Sequence, residues 1–229
     1  EQIRRAIDLA PDDPSMRSNY GNVLQQLGRL EEAEDAYRTT LELAPELADA
    51  HCNLGTLLRR QDRIDEAEAA LLKAIELDPA HGDSHHNMGN IYLRLGNHQE
   101  AKKYYNQALK VDSNNASVYF NLGTVSAMTG NTTEAIHFLQ ESIGINPKDA
   151  RTYFNLGNLY ISLEELPEAV SSYLNAVKAD PNHMEAWFNL SLTAFRLKDY
   201  ENAVKYCDEA ILLGYDVDPR FLSVLEIYR

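Results

Sequence analysis

Cysteine is almost absent from this chain of 229 residues. Cys52 and Cys207 are its only two, far apart in sequence, so neither a disulfide framework nor a paired-cysteine zinc site is available. Positive charge is also short. Lys and Arg number 21 against 35 for Asp and Glu, a net charge of −14 that repels phosphate backbones and anionic lipid surfaces. Nucleic acid is therefore excluded as a general partner. No uncharged apolar run approaches the length of a membrane span, so membrane insertion is not expected. The first residues mix Ile3 and Ala6 with Arg4, Arg5 and Asp8, which leaves no apolar core for a secretion signal. A cytoplasmic, reducing location fits these absences. Catalytic signatures are missing too. There is no Gly-rich phosphate loop, GxSxG, HExxH or CxxC, so neither an enzyme nor a cofactor is expected.

What is present is repetition. Asn53-Leu54-Gly55 recurs as Asn87-Met88-Gly89, Asn121-Leu122-Gly123, Asn155-Leu156-Gly157 and Asn189-Leu190-Ser191, with Asn19-Tyr20-Gly21 upstream. Every step is 34 residues. If each Asn is position 6 of a unit, position 20 is Ala33, Ala67, Ala101, Ala135, Ala169 and Ala203. Position 24 reads Tyr37, Leu71, Tyr105, Leu139, Tyr173 and Cys207, and position 32 is Pro in four units of six. Positions 4, 7, 8 and 11 form one helical stripe and positions 20, 24, 27 and 28 a second. The small residues let the two helices approach closely, and the large ones fill the space between them. Gly28, Gly96 and Gly130 supply the left-handed residue that ends the first helix. Apolar positions 10 and 30 (Val23 and Leu43 in the first unit) lack a partner within the unit. They are expected to bury against the next one, which makes the array a solenoid.

The spacing of Leu-Gly, Tyr92, the invariant Ala, the aromatic at 24 and the Pro resembles the tetratricopeptide repeat (TPR) family, and Trp187 fits its aromatic position. That resemblance implies an all-α, right-handed superhelical TPR solenoid of antiparallel helix pairs. The frame places the end of a truncated repeat at 1–13 and full repeats at 14–47, 48–81, 82–115, 116–149, 150–183 and 184–217. A closing helix follows at 218–229, presenting Phe221, Val224, Leu225 and Tyr228 on one face to cover Leu190, Leu197 and Leu213. Glu1 then lies inside a repeat, and a piece of a longer protein is the expectation.

In the TPR family the line through positions 2, 6, 9 and 13 faces the concave groove. Position 6 is Asn19, Asn53, Asn87, Asn121, Asn155 and Asn189, and position 9 adds Asn22, Asn90 and Asn158 with Thr56 and Thr124 between them. Asn is a mediocre helix residue. Its carboxamide both donates and accepts, so a row of them can bond the peptide units of an extended ligand. The row is similar to the Asn ladder in the TPR superhelix of O-linked N-acetylglucosamine transferases, although nothing here matches that enzyme's catalytic domain. The competing structural account is that these Asn bond neighbouring repeats. The carboxylate clamp of chaperone-binding TPR domains is excluded, because no Lys or Arg occupies position 5 or 6. Arg59, Arg60 and Arg94 make the groove cationic early in the chain. Phe120, Phe154 and Phe188 at position 5, with Met128, Ile161 and Phe195, make it apolar later. His51, His81, His85 and His86 are the nearest thing to a metal cluster, and no metal is expected. The expected function is a protein-interaction scaffold that takes an extended or helical peptide of a partner. Self-association of the scaffold and service as the targeting domain of a longer enzyme are the alternatives.

Overall fold

The computed structural model describes residues 13–229, all helix and turn, with no strand among them. The expected half-repeat at 1–13 lies outside the described residues but for Asp13. Six helix pairs follow in order: α1 (Pro14–Gln26) and α2 (Leu30–Leu43), α3 (Ala48–Arg60) and α4 (Ile64–Leu77), α5 (Gly82–Arg94) and α6 (His98–Val111). Then come α7 (Ala116–Met128) and α8 (Thr132–Ile145), α9 (Ala150–Ser162) and α10 (Leu166–Ala179), α11 (Met184–Arg196) and α12 (Tyr200–Leu212). A short α13 (Pro219–Leu225) closes the order. First helices begin every 34 residues. The chain divides into two compact units, the first ending at Asn114 and the second spanning Asn115–Arg229. Each holds three helix pairs. No helix among the described residues is long and apolar enough to cross a membrane.

Within a pair, the helices meet at positions 8, 20 and 24. The position-20 alanines are all fully buried, as are Tyr37, Leu71 and Tyr105. The ring of Tyr173 lies so close to Gly157 that a Cβ there would come within 2.5 Å of it. In the last pair position 8 is Ser191, and the residue opposite is the smaller Cys207; the Ser191 hydroxyl donates to the Ala203 carbonyl at 2.6 Å. Volume is thus traded across the pair, as close packing demands. The turn between the two helices always puts position 15 in the left-handed region. Gly28, Gly96 and Gly130 do so without steric cost, but Asp62, Glu164 and Lys198 occupy it as well, with φ of 66°, 60° and 63°.

Pairs stack second helix to first helix within each unit, as α2 on α3 and α10 on α11. Position 10 joins this packing at Leu57 and Ile91, which are buried in the first unit's core. Position 30 is uneven: Leu43 and Val111 stay over 40% exposed, whereas Leu77 and Ile145 are half-buried. The closing segment also departs from expectation. Its helix stops at Leu225 and continues as a 3-10 turn over Glu226–Tyr228. Leu225 is fully buried among Ala194, Ala203, Cys207 and Val217, with Phe221 and Leu222 packed alongside. Leu190 packs instead with Ala169 and Tyr173, and Leu197 remains exposed.

Candidate functional site

The position-9 side chains follow a rule. Where position 24 is Tyr, position 9 is Asn, and the phenol donates to its carboxamide oxygen: Tyr37 to Asn22 at 2.6 Å, Tyr105 to Asn90 at 2.8 Å, Tyr173 to Asn158 at 2.7 Å. Burial pushes Tyr37 and Tyr173 up to about 12, so both phenols stay protonated donors. Where position 24 is Leu, position 9 is Thr, and Thr56 and Thr124 turn their hydroxyls back to the carbonyls of Cys52 and Phe120. The Asn at position 9 is therefore bonded within its own pair through its oxygen. Two columns that vary together along the repeats carried this signal in the sequence.

Position 6 is less uniform. Asn53 donates to Ser18 Oγ at 3.4 Å, and Asn189 to Asn158 Oδ1 at 3.2 Å, each reaching the preceding repeat. Asn87 donates to the Asp83 carbonyl at 2.9 Å, with Cys52 Sγ 3.9 Å away. Asn121 is half-buried. Asn155 sits half-exposed and makes no hydrogen bond to a described residue, and the exposed Asn19 makes none either. Among these carboxamides, Asn155 is both uncommitted and set in a recess.

That recess belongs to the second unit. A cavity of about 200 Å³ is lined by Gly123, Thr124, Met128, Leu139 and Asn155, where Leu139 stands in place of the larger Tyr. Across Asn158 lies a second cavity of about 380 Å³, walled by Ile161, Leu192, Phe195 and Phe221, with Tyr173, Asn158, Asn189, Thr193 and Arg196 as its polar groups. Asn158 lines both. The sequence pattern did not single out Leu192, Arg196 or Phe221 for this site; Arg196 shares a repeat position with Arg60 and Arg94. The three position-5 phenylalanines are half-buried. Phe154 packs between Tyr173 and His183, and Phe188 stacks on Tyr215 with ring centroids 4.5 Å apart. Phe120 lies under the Arg151 guanidinium at 5.3 Å.

The corresponding face of the first unit is cationic. Arg60 is exposed and Arg59 half-buried. Arg94 is held by Asp62 at 2.6 Å. Burial, then the neighbouring charges of Arg94 and Arg60, hold the Arg59 guanidinium below its ordinary value, and its Nε is buried without a partner. Burial likewise lowers His86, and the charge of Arg59 acts in the same direction.

Two other histidines have structural tasks. The Nε2 atoms of His51 and His85 donate to the carbonyls of Pro45 and Pro79, both at 2.9 Å, and Trp187 Nε1 does the same to Pro181. Position 4 thus pins the loop before it. Among the described residues no group of three or more His, Cys, Asp or Glu is placed to hold a metal ion.

Comparison with known proteins identifies the repeats. One profile described as tetratricopeptide repeat matches residues 12–80, 46–114 and 82–148, and another matches 154–216. No curated protein matches the chain in sequence. Among solved structures, YrrB, described as a TPR protein with an unusual peptide-binding site, is 27% identical with a TM-score of 0.66; the alignment covers 80% of this chain and 94% of YrrB. PilF of Pseudomonas aeruginosa is 20% identical over 84% of this chain and 88% of its own, with a TM-score of 0.78. The APC/C hetero-tetramer Cut9–Hcn1 contains a chain 17% identical with a TM-score of 0.77, covering 98% of this chain and 44% of that one. At these identities the latter two share the fold alone.

Proposed function

The chain belongs to the tetratricopeptide repeat family, and we propose that it binds, without turnover of its own, an extended peptide segment of a partner protein along the face of its first helices. The observation that carries this reading is the pair of recesses on either side of Asn158. One takes an apolar side chain against Ile161, Leu192 and Phe195. The other brings the peptide backbone to the uncommitted carboxamide of Asn155. Such a site joins apolar burial with a few placed polar groups, the usual make-up of a ligand pocket. The likeness to YrrB, itself described as peptide-binding, supports the same reading. The position-9 Asn side chains take part through their NH2 groups, since their oxygens already accept from tyrosine.

The test is a random peptide display selection on the intact chain, followed by affinities of the recovered peptides. Asn155 makes no hydrogen bond to a described residue, so Asn155→Ala separates binding from stability. One hydrogen bond contributes about 0.5–1.5 kcal/mol, a loss of several-fold in affinity. Leu192→Trp fills the larger recess and should abolish binding of peptides with an apolar anchor. Recovered peptides indifferent to both substitutions place the working surface elsewhere.

A further inference from the structure

Most arginines of the first unit with assigned contacts are held by acids. Arg29 pairs with Glu32, Arg38 with Glu34, and Arg63 with Glu34 and Glu66. Two of the arginines at position 13 share a pattern: each meets the acid at position 15 of the preceding repeat. Arg94 meets Asp62 in this way, and Arg196 meets Glu164. Arg60 stands at the same position, but the residue 32 places before it is Gly28, which has no side chain. Neither Arg60 nor its neighbour Arg59 has a carboxylate partner among the described residues. In a chain with a net charge of −14, an exposed arginine beside a half-buried one, both without an acid, is an anomaly. Position at the end of α3 does not account for it. A helix C-terminus favours cations, yet Arg94 and Arg196 end their helices too and still have acids.

We infer that the first-helix face of the first unit receives an acidic peptide segment, with Arg60 as its anchoring cation and Arg59 beside it. This rests on the reading above that this face of the repeats binds peptide, and it names the chemistry of the partner. The guanidinium fork suits a carboxylate bonded through two N–H groups. The peptide acid takes the place that Asp62 holds for Arg94. The charge of Arg60 reaches the Tyr37 phenol, and that of Arg59 reaches His86 and Arg94. The cations come from positions 12 and 13, which differ from the positions of the clamp excluded in the sequence.

The experiment uses the full chain and three blocked, fluorescein-labelled peptides: alternating glutamate and alanine, its glutamine counterpart, and its phosphoserine counterpart. Anisotropy titrations should give the glutamate peptide an affinity about tenfold above the glutamine peptide, as expected for charge-assisted bonds. Arg60→Gln should remove most of that preference, and Arg59→Gln with Arg60→Gln all of it. Gly28→Asp supplies the missing internal acid and should weaken glutamate binding several-fold. The space at Gly28 is open, and Asp62 shows that aspartate adopts this backbone conformation. Asp62→Gly releases Arg94 and should strengthen binding about two- to threefold. Equal affinity for glutamate and glutamine peptides overturns the inference, as does a preference that survives loss of both arginines. Binding of the phosphoserine peptide alone overturns the assignment to carboxylate. Display-selected peptides that depend on Asn155 while no glutamate preference exists sink this inference and leave the peptide-binding reading intact. Absence of any peptide binding sinks both.

Discussion

The two units share one framework and present different faces. In both, position 20 is a buried alanine, position 15 is left-handed, and a tyrosine at position 24 meets an asparagine at position 9. On the first-helix face, the first unit carries Arg59, Arg60 and Arg94, while the second carries apolar recesses around Ile161, Leu192 and Phe195. Inter-helix packing tolerates little change in volume, whereas solvent-facing positions tolerate most. A duplicated module is therefore held constant where helices touch and is free to diverge where a ligand would touch.

The largest test of this comparison is removal of residues 218–229. Leu225, Phe221 and Leu222 would leave the apolar cluster around Cys207, and loss of one buried leucine alone costs about 2–5 kcal/mol. Urea unfolding and light scattering should show a destabilised, self-associating second unit; a truncated chain that stays monomeric with an unchanged midpoint means that α13 is not a cap. Next in size is a pair of glycine substitutions in the second unit. Gly157→Ala forces a Cβ against Tyr173 and should cost about 1–3 kcal/mol. Gly144→Ala meets nothing within 4 Å on α8 and should instead stabilise by about 0.5–1 kcal/mol. Equal effects would show that the close approach at position 8 carries no energy.

The coupling of positions 9 and 24 should be smaller. Tyr173→Phe removes the bond to Asn158 and is expected to cost about 0.5–1.5 kcal/mol. Introducing Tyr at Leu139 together with Asn at Thr124 copies the tyrosine arrangement into the fourth repeat. The double variant should be more stable than the sum of the single changes predicts, and it should fill the smaller recess; additivity in a thermal double-mutant cycle would deny the coupling. The smallest effect concerns the turn. Lys198 sits at φ 63°, so Lys198→Gly should raise the unfolding free energy by about 1 kcal/mol or less. A loss of stability there would mean that the lysine side chain contributes more than its backbone strain.

Much of this architecture is legible in the linear pattern. The 34-residue period, the alanines at position 20 and the glycines at positions 8 and 15 state the helix pairs, because a pair can close only where small residues allow it. The first helices do begin at Pro14, Ala48, Gly82, Ala116, Ala150 and Met184. The pattern misleads near helix ends, where the apolar Leu43, Val111 and Leu197 stay exposed. It is silent on which side chains are already satisfied. In the sequence, Asn155 and Asn189 look alike. In the structure Asn189 is bonded to Asn158, and Asn155 faces a recess that a leucine in place of tyrosine has opened.

Local periodicity and small-residue spacing are properties of the chain alone, and they set the helical repeat, its length and the residues at its close contacts. The stacking of repeats set the pairing of Asn158 with Tyr173, of Arg94 with Asp62 and of Arg196 with Glu164, and left Arg60 with no acid among the described residues. Whether a polar group is spent or available depends on what stands within about 3 Å of it. That is set by the stacking of helices many residues apart.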